Sequence, residues 1–430
     1  MSARPVTVAL LGCGVVGSGF ARIAVENAAD IERRVGRPLR IRGIAVRNVA
    51  KPRPEWIDRS LLCGDARSLI ADPEVDIVAE CIGGTDAARD YVDEALRAGK
   101  HVATANKELM AKHGHELCHV ADGNGVALRY EGSVAGGIPL ITPIRTSLAA
   151  DRIERVLGIL NGTTNYILTR MSHDGLAFSD ALAEAQERGF AEADPTDDVE
   201  GFDAAYKLTI VASIAFGRSV ALASVYREGI TGVTATDIAV AAKLGYVVKL
   251  LAIAKRDAED RLELRVHPTL LPKAHPLASV SNEFNAVFIN ARHAREVMFF
   301  GPGAGMGPTG SSVAGDVVDI ARDIVAGARA RIRCTCVPSP DVSEIGDIWS
   351  RFYLRLITRD RPGVLGSIAP ILGEYEIGLS TVYQEPLGDG RSQIVAISDP
   401  AQERDLRAAL REIERLPSVF QVAATLRVED

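Results

Sequence analysis

Apolar residues at the start of the chain come in short, partly β-branched runs separated by stretches with helical spacing. Val6–Leu11 is one such run and reads as a strand. A glycine cluster follows it, then Phe20, Ile23 and Ala24 at helical spacing. Ile41–Val46 and Val75–Cys81 read as two more strands, the second ending at Gly83-Gly84-Thr85. Asp86–Ala98 reads as a helix with Gly99 as its C-cap, and His101–Thr104 as another strand. Strands alternating with helices predict a parallel sheet covered on both faces. Residues 1–140 are therefore expected to form a doubly wound, Rossmann-type nucleotide-binding domain.

The texture changes near Ala150. Ile153–Leu160 is a strand candidate, and Tyr166–His173, Ser179–Arg188, Gly201–Phe216 and Ala235–Lys255 read as helices. Strands are expected at Leu262–Val266, Ala286–Asn290 and Glu296–Phe300, which makes residues 141–300 a mixed α+β domain. A glycine-rich stretch, Gly301–Gly310, precedes a helix expected from Ser311 to Ala330, so that 301–330 completes the first domain. Val337–Trp349 holds two prolines and several acids with little apolar periodicity, and 337–350 reads as a linker. Residues 351–430 follow with strand, helix, two strands, helix and strand, the βαββαβ order of a ferredoxin-like domain.

The 430 residues carry a formal net charge of −7, which argues against nucleic acid as a partner. The longest apolar helix candidate, Leu208–Phe216, is too short to span a membrane, and a cytoplasmic location follows by elimination. Six scattered cysteines read as free thiols in a reducing compartment. Cys334-Thr335-Cys336 has no second cysteine pair or histidine near it in sequence and reads as structural. His115 and His119 read as the solvent side of a helix.

Gly12-Cys13-Gly14-Val15-Val16-Gly17 spells GxGxxG directly after a strand and at the start of a helix. Gly12 allows the tight turn, Gly14 lets the backbone approach a pyrophosphate, and Gly17 permits close helix packing. The helix start at Val15 and Val16 offers free N–H groups to the phosphates. Arg47, with Lys51 and Arg53 after it, stands where an NAD enzyme carries an acid, so the expected cofactor is NADP, with NAD as the alternative. Lys107 lies just past a strand end, where it offers positive charge to an anionic substrate or to the transferring oxygen. Glu131 and the loop after it suit a small hard cation. Residues 189–203 are dense in carboxylates, and Asp203 and Lys207 fall on one helix face. That pair reads either as a surface ion pair or, facing a cleft, as a proton shuttle.

These motifs, GCGVVGSG at 12–19, ATANK at 103–107, EGSVAGGIP at 131–139, GILNGTTNYIL at 158–168, GFAEADPTDDVEGFDAAYKL at 189–208 and GPGAGMGPTGSSVAGDV at 301–317, resemble those of the homoserine dehydrogenase family in its longer bacterial form. The resemblance implies reversible hydride transfer between L-aspartate 4-semialdehyde and L-homoserine. It implies Lys207 as proton donor and acceptor, Asp203 as the residue orienting the substrate or that lysine, and Lys107 as an aid at the reacting oxygen and the cofactor. Glu192 would hold the substrate ammonium, Gly162 and Thr163 would line the pocket with Asp198 nearby, and Gly305 would approach the nicotinamide. A structural sodium ion would sit on the Glu131 side chain or carbonyl and on the carbonyls of Val134, Gly136 and Ile138. Gly132 departs from the family's common alanine. Asp360–Leu365 resembles the signature of an ACT domain, which implies L-threonine as an inhibitor, and the family implies a homodimer or a homotetramer. A non-catalytic amino-acid sensor and an oxidoreductase for a neighbouring amino semialdehyde are the competing readings. A sensor has no need to keep Lys107, Asp203 and Lys207 together.

Overall fold

The computed structural model describes residues 4–328, 331–337 and 341–429. The chain divides into two compact units: residues 1–156, 206–224 and 285–340 in one, and residues 157–205, 225–284 and 341–430 in the other. The expected domain 141–300 contributes to both, and residues 351–430 share their unit with 225–284.

The first unit is built on a six-stranded parallel sheet. Its strands, from edge to edge, are Leu62–Cys63, Leu39–Ala45, Val6–Leu11, Ile77–Glu80, His101–Thr104 and Leu128–Arg129. In chain order that is 3-2-1-4-5-6, the doubly wound arrangement whose ligand crevice opens at the reversal next to the first strand. Every residue of Val6–Leu11 is buried, because helices cover both faces of a parallel sheet. One covering helix, Met306–Val325, comes from far along the chain and buries Val313, Val317 and Ile320 in the same core as Val8, Leu10 and Phe20. It crosses the helix Val15–Glu26 so closely that a Cβ on Gly310 would stand 2.7 Å from the carbonyl carbon of Gly19.

That helix begins five residues earlier than expected. Gly305 caps it at φ 123°, and Gly307 and Gly310 lie inside it. Packing of small residues against a neighbouring helix here overrides their poor helix propensity. The expected helix Ala235–Lys255 is also corrected. It stops at Lys243, Gly245 turns the chain at φ 89°, and Tyr246–Arg256 is a strand buried along most of its length. An unbroken apolar run carries no period that separates a buried strand from a buried helix.

The second unit holds a sheet in which Tyr246–Arg256, Leu262–Pro272, Val419–Val428, Trp349–Arg359, Arg391–Ser398 and Leu379–Gly388 lie side by side in that order. The last four are the strands of the βαββαβ module, with helices Val364–Glu374 and Glu403–Ile413 packed on one core. The module does not stand alone. Val419–Val428 pairs in parallel with Leu262–Pro272 through Thr269–Arg427 and Leu270–Val428. Arg427 is buried there, with Nε 2.7 Å from Glu403 and Nη1 2.8 Å from Glu228. Arg355 grips Asp237 of the helix Ala235–Lys243 with both arms of its guanidinium, at 2.6 and 3.2 Å. The expected linker lies partly outside the described residues, at 338–340; its described part is tied down. Leu262 N donates to the Asp341 carbonyl and Ser343 N to that of Leu262, at 2.8 and 2.9 Å.

Fully buried His267 sits on the same Leu262–Pro272 strand. Burial, with Arg427 and Arg265 nearby, holds its ring well below the usual imidazole range, so it folds in neutral. The unfolded chain takes up its proton near pH 6.5 while the folded chain does not, and this group's contribution is present above that pH and lost as pH falls below it. Stability should drop by roughly 1.4 kcal/mol per pH unit from this residue alone as the medium is acidified from 6.5 towards 5. Urea unfolding at several pH values checks this, and His267→Gln should flatten the slope. An unchanged slope in that variant would assign the effect elsewhere.

Among the described residues, no helix is long and apolar enough to cross a membrane.

Candidate active site

The sheet reversal lies where Val6–Leu11 adjoins Ile77–Glu80, and both strands end there in tight turns. Gly12 takes φ 92°, and a Cβ on it would stand 2.5 Å from the Cys81 carbonyl oxygen, so only glycine fits the turn. Gly14 caps the helix Val15–Glu26 with no side chain on its first N–H groups. Those donors at Val15, Val16 and Gly17 are the residue set that suits a pyrophosphate. A cleft of about 380 Å³ opens beside them, lined by Gly12, Gly14, Arg47, Lys51 and Arg53 among others. Arg53 hydrogen-bonds the Cys13 carbonyl and braces the glycine turn, whereas Arg47 is exposed at the end of its strand.

A second cavity, of about 270 Å³, holds Lys107 and Lys207 together with Gly83, Gly84, Asn106, Gly136 and Gly303. The turns that shape it hang on Glu80. This carboxylate is fully buried and accepts from Ile82 N at 2.6 Å and from the Thr104 hydroxyl at 2.5 Å. Burial raises its pKa against the pull of those hydrogen bonds. Asn106 caps the helix Lys107–Asn124 by accepting from Leu109 N at 3.0 Å, and its amide donates to the Gly84 carbonyl at 2.6 Å. Lys107 thus starts a helix whose entry angle is fixed from two sides. Lys207 is only 9% exposed, which is uncommon for a lysine. Neither Glu80 nor Asn106 was among the expected site residues. The signal for both is position, Glu80 ending one strand of the sheet and Asn106 following the end of the next.

Glu131 is buried at the start of the loop expected to hold a cation. Its carboxylate accepts from the backbone N–H groups of Leu140, Ile141 and Thr142 at 2.5, 2.7 and 2.8 Å, so its oxygens are engaged in holding that loop. The Gly136 carbonyl accepts from the Ser312 hydroxyl at 2.6 Å, and Val134 and Ile138 are buried in the same loop. Gly305 sits at the head of the helix Met306–Val325.

In the second unit, Asn161 organises the carboxylates. As N-cap of the helix Gly162–Asp174 it accepts from Thr164 N at 2.8 Å. Its amide donates to Asp198 at 2.6 Å and to Asp203 at 2.9 Å, and Asp203 is buried. One amide therefore fixes two acids and a helix start. Thr163 next to it donates to the Phe190 carbonyl at 2.7 Å. Glu192 stands on an exposed turn whose carbonyl accepts from Gln186. Lys207 follows Asp203 by four residues along the helix Phe202–Phe216. Asn161 was missed because its motif was read for Gly162 and Thr163; an asparagine just before an apolar helical run is the cue that identifies it. Asn161→Ala should cost about 1–2 kcal/mol from the lost cap. It should also lower turnover by more than that loss of folded protein explains, since the amide that ties the two acids to one point is gone; unfolding and rate measurements on one preparation separate the two effects.

A doubly wound sheet with a bare glycine-capped helix at its reversal, beside a cavity carrying two lysines, defines a dinucleotide-binding oxidoreductase. Residues 12–131 match the family described as homoserine dehydrogenase, NAD binding domain, and residues 139–318 match homoserine dehydrogenase. A protein of Corynebacterium glutamicum named homoserine dehydrogenase is 44% identical over 428 residues, spanning 99% of this chain and 96% of its own. The crystal structure of a homoserine dehydrogenase from Thiobacillus denitrificans superposes with a TM-score of 0.94 at 41% identity, covering 100% of this chain and 99% of that one. A hyperthermophilic archaeal homoserine dehydrogenase, solved in complex with NADPH, matches with a TM-score of 0.63 at 26% identity, over 74% of this chain and 97% of its own. The chain belongs to the homoserine dehydrogenase family.

Proposed function

We propose that this protein reversibly reduces L-aspartate 4-semialdehyde to L-homoserine with NADPH. The observation that carries the reading is the cavity holding Lys107 and Lys207 in the unit whose sheet carries the glycine cradle. The bound nicotinamide supplies or takes up the hydride. Gly12, Gly14, Val15, Val16 and Gly17 cradle the pyrophosphate, Arg47 takes the 2′-phosphate, and Gly305 approaches the nicotinamide end. The Lys207 ammonium gives its proton to the aldehyde oxygen in reduction and accepts it back in oxidation. Lys107 adds positive charge at that oxygen. Asp203 and Asp198 are fixed by Asn161 before substrate arrives, which lowers the ordering cost of binding. Gly162 and Thr163 shape the pocket, and Glu192 pairs with the substrate ammonium. A structural sodium ion would rest on the Glu131 side chain or carbonyl and on the carbonyls of Val134, Gly136 and Ile138, in the loop that the Glu131 carboxylate holds through three N–H groups.

The βαββαβ module is read as an ACT domain that binds L-threonine, in a homodimer or a homotetramer. Its turn at Asp360–Leu365 brings Gly363, at φ 90°, to the head of the helix Val364–Glu374. Threonine inhibits only by binding two conformations of the enzyme unequally.

Consumption of NADPH with aspartate semialdehyde, with and without L-threonine and with NADH in parallel, tests the reading. Turnover suppressed by threonine supports both halves, and turnover indifferent to threonine removes the effector. Folded protein inactive with either cofactor removes the activity. Arg47→Ser should raise the KM for NADPH about tenfold while leaving that for NADH nearly unchanged, since only the former carries the charge that Arg47 meets.

A further inference from the structure

The structure unites two groups of residues that are far apart in sequence. The helix Lys107–Asn124 carries His115 and Cys118, and the segment 331–337 runs beside it. That segment is pinned along its length. Cys334 N donates to Asp122 at 3.1 Å, Arg145 to the Arg333 carbonyl at 2.9 Å, and Val337 N to the Gly217 carbonyl at 3.0 Å. His115, Cys118, Cys334 and Cys336 consequently line one cavity of about 430 Å³, walled elsewhere mainly by apolar side chains such as Met110 and Ile210. Cys334 and Cys336 reach this wall from the pinned segment, and Cys118 reaches it from the helix. Among the described residues no three such groups are arranged to hold a metal ion, so the cluster is read through thiol chemistry.

The three thiols are not equivalent. Cys118 is buried and Cys334 half-buried. The neighbouring Cys118, and after it Cys336, hold the Cys334 thiol below the ordinary thiol range against the opposing effect of burial, while the same neighbourhood raises Cys118. The Cys336 thiol is engaged with the Ser213 carbonyl at 3.3 Å, which leaves Cys118 the better-placed partner. A thiol that favours its thiolate, reachable from a cavity and next to a second thiol, is the arrangement of an oxidisable cysteine with its resolving partner.

We propose that Cys334 is a peroxide-sensitive thiol that Cys118 resolves into a reversible disulfide within the chain. The Cys334 thiolate attacks one peroxide oxygen, the O–O bond breaks, and the departing hydroxide takes a proton to leave as water. The resulting sulfenic acid is attacked at sulfur by Cys118, the S–O bond breaks, and a second water leaves with the Cys118 proton. Two thiols are oxidised by two electrons and one peroxide is reduced to two waters. A dithiol reductant reverses the change by exchange. The bond would clamp segment 331–337 to the helix that begins at Lys107.

The reduced full-length protein, treated with one equivalent of hydrogen peroxide and mapped by mass spectrometry without reduction, tests this. The expected product is a Cys118–Cys334 peptide pair lighter by two hydrogens than the free peptides and restored by dithiothreitol. Before oxidation, Cys334 should react with iodoacetamide about tenfold faster than the part-exposed Cys63. Cys118→Ser should leave a Cys334 sulfenic acid that a cyclic 1,3-dione traps, and Cys336→Ser should still form the bridge. Reaction of Cys334 no faster than Cys63, a Cys334–Cys336 bridge, or a bridge only between chains would overturn the proposal, and the wild-type map decides it even where a variant fails to fold.

Discussion

Lys207→Ala lowers kcat by about 10²–10⁴-fold in both directions of the reaction, the range set by removing a positioned proton donor. Lys207 shares its cavity with Lys107 and is nearly buried, and the proposed role has it exchange a proton with the reacting oxygen there. Lys207→Arg should not rescue the rate, because a guanidinium keeps the charge but does not release its proton near neutral pH. Lys107→Ala should show a different pattern, with KM values for substrate and cofactor rising alongside a smaller fall in kcat. Initial rates from NADPH absorbance, with circular dichroism to confirm folding, separate the cases. Near-normal turnover by Lys207→Ala in both directions would sink the proton-transfer role, and rescue by arginine would reduce it to charge alone.

The second large effect is on stability. Arg427→Met should destabilise the protein by about 3 kcal/mol, since it removes the buried cation between Glu403 and Glu228 and leaves the first with Arg407 and the second with the Tyr226 hydroxyl. Burial opposes the charge on Glu228, yet Arg427 holds its carboxyl below the usual range, a sign that the pair is settled as ions. The cost belongs to the broken network and not to the salt bridge as such. Replacing Arg427, Glu403 and Glu228 together by Met, Leu and Leu should therefore recover most of the loss. Urea unfolding of the single and triple variants measures both. A single variant within about 0.5 kcal/mol of the parent would show that water reaches the cluster freely.

The doubly wound sheet was legible because its strands and helices alternate with clear periods and end in glycine turns. Val6–Leu11, His101–Thr104 and the six elements of the βαββαβ module follow the apolar pattern closely. Legibility failed where local preference and tertiary context disagree. Tyr246–Arg256 is buried along most of its length and so has no period, and the helix runs through Met306–Gly310 where Gly310 passes close to the backbone of Gly19 on another helix. Of the candidate site, residue types in family motifs could be named in advance, but their mutual support could not. That Asn161 holds two acids, that Glu80 ties Thr104 to the turn after its own strand, and that Cys334 shares a cavity with Cys118 are pairings over long stretches of sequence that no local pattern encodes.

The parallel pairing of Val419–Val428 with Leu262–Pro272 bears on how the protein is made. The earlier strand leaves the ribosome long before its neighbour does, and until then Thr269 and Leu270 lack their strand partners and buried Arg265 lacks Glu429. An unpaired strand edge invites association with other nascent chains. Synthesis interrupted ahead of Val419 should thus yield a chain prone to aggregate, whatever the soundness of its nucleotide-binding sheet. The yield of soluble protein on expression will depend on how soon the downstream strand arrives.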